Sequence, residues 1–281
     1  MDRLLKQAER HVSNVDIVVF PEAAMNFKTY GHLASLLKGR TDVLISGVID
    51  KNKNEEISSE FAGNAACMSF ISPDHDDFFY YQNKHHRWKL DSNQIEAYSL
   101  GDRLDPNQNW WENIAIRDRS VNFFTFNTNS CFATLVCEDL ARIDPCQNVV
   151  RAIGPSILFA LLMDGPQLKG RWSERYAMGL SDDPGTSVLT VTSTGLLTRS
   201  NTHFNQTKKV IGLWKDSSGS TKEITLPDSH EGIILTLNQT AKQQVTLDGR
   251  LSVDKHDVNW RLTGTIPLSI GNEGIRARLN L

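Results

Sequence analysis

The sequence predicts an α/β fold in which helices cover sheets on one face, while the other face of each sheet is buried by a second apolar surface. Three observations lead there. Helical patterns alternate with short β-rich runs, most of those runs are apolar throughout rather than at every second residue, and no composition break divides the chain. Leu4, Leu5, Ala8 and Val12 fall on one helical face, and that pattern hands over at Val15 to a buried run ending at Phe20. A second helical pattern carries Leu33, Leu36 and Leu37, and strand-like runs follow at 43–49, 64–71 and 78–83. Runs at 121–126 and 132–137 continue the sheet. Beyond them come a helix at 148–153, a very apolar run at 157–163, a helix at 172–180 and a strand at 187–193. The runs at 210–214, 223–226 and 232–238 surround Asp216-Ser217-Ser218-Gly219, a turn-rich connection suited to a hairpin. From Ala241 the chain is polar and weakly periodic, so residues 1–240 are expected to form one domain and 241–281 a C-terminal extension.

Composition narrows the function classes. The chain has 281 residues, 40% hydrophobic and 22% charged, enough apolar material for a sizeable core. No run approaches the ~18 apolar residues of a membrane-spanning helix, and Met1 is followed by Asp2, Arg3 and a charged amphipathic stretch rather than a signal-peptide core. A cytoplasmic protein is expected. Its net charge of −3 provides no overall field for nucleic acid or anionic lipid. Cys67, Cys131, Cys137 and Cys146 form no CxxC pair, which argues against a zinc ribbon or a disulfide framework.

Three strand-like runs end in a reactive side chain: Phe20-Pro21-Glu22, Asn83-Lys84-His85-His86 and Val136-Cys137-Glu138-Asp139. The carboxyl ends of strands are where ligands and chemistry collect in open α/β sheets. A carboxylate, an ammonium and a thiol suffice for nucleophilic acyl chemistry, since Glu takes the thiol proton and Lys stabilises the thiolate and the developing oxyanion. Taken singly, a Cys in an apolar run is ordinarily packing and a Glu after Pro is ordinarily solvated. Their shared setting favours chemistry. The adjacent His85 and His86 would face opposite ways on a strand, and no HExxH, P-loop or GxGxxG stretch is present, so neither a metal nor an organic cofactor is expected. The run from Lys84 to Lys89 resembles a phosphate contact, but a short strand-end loop is ordinarily solvated, and nucleic acid is not expected. Asp74, His75, Asp76 and Asp77 read as a solvated turn, and Phe78-Phe79, Tyr80-Tyr81 and Trp110-Trp111 as core packing or a subunit contact.

Together, Val18-Val19-Phe20-Pro21-Glu22, Lys84-His85-His86 and Cys137-Glu138-Asp139 resemble the signature of the nitrilase, or carbon–nitrogen hydrolase, superfamily, which uses a Glu–Lys–Cys triad in this order. Leu135-Val136-Cys137-Glu138-Asp139-Leu140 is similar to the glutaminase-type amidase domain of NAD synthetases. The resemblance covers roughly residues 2–240 and implies a four-layer αββα sandwich. The family opens with a strand before its first helix, whereas this chain begins within that helix, so the first strand is expected to be missing. The interval between Lys84 and Cys137 is longer than usual, and Arg87-Trp88-Lys89 replaces an apolar residue.

The resemblance implies hydrolysis of a non-peptide carbon–nitrogen bond, an amide foremost, with a nitrile or carbamoyl group as further options. Glu22 would be the base, Cys137 the thioester-forming nucleophile, and Lys84 with the backbone N–H of Glu138 the oxyanion site. Gln94-Ile95-Glu96 resembles the segment bearing a second active-site Glu, which gives Glu96 that role. Met163 and Asp164 are candidates for contact with a small-molecule substrate, and a homodimer or higher homo-oligomer is expected. Two alternatives remain: an ammonia-supplying glutaminase or acyltransferase, and a catalytically silent binding or scaffold module fused to an upstream domain of a larger polypeptide, a defence-associated one among the options.

Overall fold

The computed structural model describes residues 1–49, 63–71, 78–114, 119–245, 247–249 and 251–271. The acidic cluster at 74–77 lies outside them. Two sheets dominate. The first has four strands in the order β1 (Ile17–Val19), β2 (Val43–Ile49), β3 (Asn64–Phe70) and β4 (Phe78–Asn83), with β1 parallel to β2 and the later pairs antiparallel. This register brings the end of β1, the start of β3 and the end of β4 to one end of the sheet, because Asn64 pairs with Ile49 and Ala65 with Asn83.

Two short strands, β5 (Lys89–Leu90) and β6 (Trp110–Trp111), pair with each other, and Glu112 just after β6 contacts Asn64 and Lys84 at that end. The second large sheet holds β7 (Phe123–Asn127), β8 (Ser130–Val136), β9 (Ile157–Leu162), β10 (Ser187–Thr192), β11 (Val210–Lys215) and β12 (Thr221–Thr225), in reverse spatial order. Strands β8, β9 and β10 are parallel, so Val136 and Leu162 leave the sheet at the same end. All six residues of β9 are buried, which accounts for its continuous apolar sequence. The Asp216–Gly219 turn connects β11 and β12 as the sequence predicts, with Gly219 at φ 81°.

The helices are α1 (Asp2–Ala8), α2 (Phe27–Leu37), α3 (Ser92–Ala97), α4 (Asn148–Ile153), α5 (Trp172–Asp182) and α6 (Thr194–His203). Asn26 caps α2 by accepting from the Thr29 N–H at 2.9 Å, and Tyr30, Leu33 and Leu37 of α2 pack with Leu44, Val48 and Cys67 on one face of the first sheet. On its other face, Ile45, Ala66 and Met68 share one core with Phe132, Leu135 and Ala160 of the second sheet. Ala177 and Leu180 of α5 join that core. No helix among the described residues is long and apolar enough to cross a membrane.

Polar links set the two sheets in register. Gln82 of β4 donates to the Thr134 carbonyl of β8 at 2.8 Å, and the Thr134 hydroxyl meets the Met68 sulfur at 3.7 Å. Aromatic rings of Phe70, Phe124, Phe132 and Phe159 form a chain of contacts across the same interface. Phe78, Phe79 and Tyr80, by contrast, are exposed on the edge strand β4 rather than packed in the core.

The polar C-terminal stretch is a long antiparallel hairpin, β13 (Gly232–Val245) with β14 (Leu251–Leu268). β13 runs through the 240/241 boundary without a break. Ile233, Leu235, Leu237 and Trp260 pack against the main core, and Leu4 of α1 lies against Gly232. Among its described side chains, Val258 and Leu262 are buried while Val245 is exposed, in keeping with the weak periodicity of this stretch.

One glycine fixes where β1 delivers its chain. Gly47 N–H donates to the Pro21 carbonyl at 3.1 Å, and the Gly47 carbonyl accepts from Ala24 N–H at 2.9 Å. A Cβ at Gly47 would stand 2.3 Å from the Glu22 Cα and 2.6 Å from the Pro21 oxygen, both backbone atoms unable to swing aside. Gly47→Ala is expected to cost about 1–3 kcal/mol in urea denaturation. The control Gly101→Ala, with nothing within 4 Å of the added methyl, should stay within about 0.5 kcal/mol. Equal midpoints for the two variants would contradict this account.

Candidate active site

Glu22 follows Pro21 at the exit of β1 and is almost fully buried. Its Oε1 accepts from Lys84 Nζ and from Asn64 Nδ2, each at 2.8 Å, while the buried Oε2 has no hydrogen-bond partner. Lys84 comes directly after β4, with its backbone N–H on the Asn64 carbonyl at 2.9 Å and its ammonium sealed from solvent. That ammonium also donates to Glu112 Oε2 at 2.6 Å. Asn64 donates to Glu112 Oε1 at 2.6 Å, so one amide and one ammonium each bridge the same two carboxylates.

Cys137 ends β8, where the chain turns into a short 3₁₀ turn over Cys137–Ala141. Its φ of 47° is strained for a residue with a Cβ, and such strain is characteristic of reactive positions held by their surroundings. The thiol is 6% exposed, and the Met163 N–H at the exit of β9 favours its ionised form. Burial pushes its pKa well up, and the Glu22 carboxylate adds to this; Lys84 and the Met163 N–H act in the opposite sense. The resting group is therefore a thiol.

Burial also raises the Glu22 pKa, with Lys84 pulling it down and Glu112 adding to the rise. For Lys84 burial disfavours the ammonium, but the attraction of Glu22, Cys137 and Glu112 outweighs it, so the pKa is raised and the group stays protonated.

Asp139, two residues beyond the thiol, ties these segments together. Its buried carboxylate accepts from the backbone N–H groups of His85 and His86 at 3.1 and 2.9 Å and from His86 Nδ1 at 2.9 Å. The nucleophile turn thereby holds the loop that begins at Lys84. His85 points elsewhere, with Nδ1 3.1 Å from the Cys146 sulfur and Nε2 on the Ser120 carbonyl at 2.9 Å. His85, Asp139 and Cys146 are the one group of potential metal ligands among the described residues, with their ligand atoms within 4.8 Å of one another. Asp139 already meets three donors there, and Cys146 meets the His85 ring.

The expected residues fall unevenly. Glu22, Lys84 and Cys137 come within electrostatic reach of one another from three strand ends. Glu138 occupies the second position of the 3₁₀ turn, where its backbone N–H has no partner within the turn, and its side chain pairs with Arg142 at 2.5 Å. Met163 reaches the thiol through its backbone. Asp164 is buried within electrostatic reach of Cys137 and accepts from Tyr98 Oη, from Arg171 at 2.8 Å and from Trp172 at 3.0 Å. Glu96 requires correction: it is exposed on α3 and makes no hydrogen bond or ion pair with Lys84, and the second carboxylate on that lysine is Glu112. Helix α3, started by the Asp91–Gln94 capping box, turns Ile95 inward and leaves Glu96 outside.

Glu112, Asn64 and Gly47 escape the sequence reading. The available cue for Glu112 is an acidic residue directly after the Trp110-Trp111 run, the same strand-end placement that singles out Glu22 and Lys84. For Asn64 it is a polar residue opening a mostly apolar run.

No protein-family model matches the chain, and no curated protein matches it. Solved structures do. A Glu-to-Gln mutant of the amidase from Nesterenkonia sp. AN1, showing the result of Michael addition of acrylamide at the active-site cysteine, is 10% identical over 80% of each chain, with a TM-score of 0.50. A second structure of an amidase from Nesterenkonia sp. is 10% identical over 80% of this chain and 77% of its own, again with a TM-score of 0.50. Nit3 of Saccharomyces cerevisiae, a member of branch 10 of the nitrilase superfamily, is 11% identical over 99% of this chain and 85% of its own, with a TM-score of 0.46. The chain has a nitrilase-superfamily fold.

Proposed function

We propose that the protein hydrolyses a non-peptide carbon–nitrogen bond, an amide foremost, through a thioester on Cys137. In this reading the two sheets and their flanking helices form a four-layer αββα sandwich without its first strand. One observation carries the proposal: the buried Lys84 ammonium is held by Glu22 and Glu112 within electrostatic reach of a strained, buried thiol. The unpartnered Glu22 Oε2 accepts the thiol proton, and the thiolate attacks the substrate carbonyl carbon. Lys84 and the Glu138 N–H hold the oxyanion. Glu22 returns the proton to the leaving nitrogen, ammonia or an amine departs, and water attacks the thioester after giving a proton to Glu22. The acid is released and the thiol restored. Glu112 fixes the Lys84 ammonium and faces the same charge as Glu22. The proposed reaction needs no cofactor.

A panel of small amides, followed by ammonia release, tests the assignment. Cys137→Ala is expected to abolish turnover, Lys84→Ala to lower it about 10²–10³-fold, and Glu96→Gln to leave it unchanged. Turnover surviving in Cys137→Ala would end the mechanism. Hydroxylamine added as a competing acceptor separates hydrolysis from acyl transfer.

Alkylation gives a second reading independent of the substrate. Acrylamide should modify Cys137 in preference to the more exposed Cys131, and Glu22→Gln should slow that modification at least tenfold. Intact-mass analysis with peptide mapping reads both. Modification confined to Cys131 would indicate that Cys137 is not activated.

Glu22 must be ionised to act as base, and its pKa is raised above the ordinary 4.5. The acid limb of kcat/KM should therefore lie above that value, activity rising as pH increases through it. The Asn64 amide donates to the carboxylate and lowers its pKa, so Asn64→Ala should move the limb to higher pH. A limb that stays fixed would remove Asn64 from this role.

A further inference from the structure

Outside the Glu22–Lys84–Cys137 cluster, a cavity of about 340 Å³ is lined by His85, His86, Arg87, Trp111, Arg119 and Arg142. We propose that it is a binding site for the oxyanion group, phosphate or carboxylate, of a small molecule. Three guanidinium groups line one concavity, and their compensation by carboxylates is incomplete. Among the described residues, Arg87 donates to the Ile114 carbonyl alone, at 3.3 Å. Arg119 has no hydrogen-bond or ion-pair partner among the described residues. Among the described residues, Arg142 alone of the three is paired with a carboxylate, Glu138 at 2.5 Å.

Two nearby buried or half-buried carboxylates already hold other donors: Asp139 is engaged by the His85 and His86 backbone and by the His86 ring, and Glu112 by Lys84 and Asn64. Like charges gathered in this way repel one another, and a bound anion relieves that repulsion. Planar guanidinium groups match the paired oxygens of carboxylate and phosphate. Trp111, 56% exposed, supplies an apolar wall, with the Lys89 ammonium 5.8 Å from its ring centroid as a further cation. The volume lies at the lower end of small-molecule sites, about 300–1,000 Å³, and the chain as a whole is acidic. Those two features favour a small molecule over a polynucleotide.

The walls are the immediate neighbours of the proposed catalytic residues: His85 follows Lys84, Trp111 precedes Glu112, and Arg142 pairs with the side chain of Glu138. The site nevertheless rests on its own geometry and does not require the proposed hydrolysis.

Isothermal titration of the full chain at low ionic strength, with inorganic phosphate, adenosine monophosphate and succinate as separate probes, tests it. Saturable one-site binding of at least one probe is expected, weakened about tenfold or more in Arg87→Gln and in Arg119→Gln, and retained in Cys137→Ala. Preference for the phosphates or for succinate tells which oxyanion the site is built for. Both arginines are exposed, so the variants should keep the wild-type melting temperature. No binding of any probe at millimolar concentration, or unchanged binding in both arginine variants, would overturn the proposal. So would affinity for single-stranded oligonucleotides that grows with their length, which would assign the patch to nucleic acid.

Discussion

The buried ammonium of Lys84 is the constraint on which the site depends. An unpaired charge in a solvent-free interior is prohibitively costly, so this side chain can remain ionised only where partners meet it from several directions. Glu22 supplies one from the exit of β1 and Glu112 another from just beyond β6. Two carboxylates facing one ammonium leave negative charge in excess, and the Asn64 amide, donating to both, lessens their repulsion. Four residues spread across ninety positions of sequence are thereby tied into one unit.

The two sheets must hold that unit against the thiol. Gln82, two residues before Lys84, reaches the Thr134 carbonyl, three residues before Cys137, so the lysine strand and the cysteine strand are aligned before either reaches the site. Asp139 closes the connection on the far side by binding the backbone after Lys84. Gly47 permits the backbone at Glu22 to lie against β2. Packing and polar links thus act at three points around one centre, which is how a strained φ at Cys137 is maintained.

Burial also bears on stability. The folded-state pKa of Glu22 lies above its ordinary value, so this group favours folding while it is protonated. That contribution is complete below the ordinary pKa and is lost as pH rises through the folded-state one. The ionised base required by the proposed chemistry is therefore held at the expense of stability. The cationic cavity differs in kind: Arg87 and Arg119 are exposed, so solvent lets the fold tolerate their mutual repulsion and leaves both charges accessible to a ligand.

By itself the sequence determined the α/β class, the order of the main strands and the strand-end positions of Glu22, Lys84 and Cys137. Apolar runs and their endings are local properties, set by side chains that must leave water together. Tertiary structure decided the rest. It placed Glu112 rather than Glu96 on Lys84, because a carboxylate 28 residues away in sequence is brought there by the β5–β6 pair while Glu96 faces solvent. The same reasoning applies to Asn64, Gly47 and the long β13–β14 hairpin, whose roles arise from contacts with distant strands or helices. Sequence periodicity records which face of an element is buried; it does not record which element lies opposite, and the site is made of such oppositions.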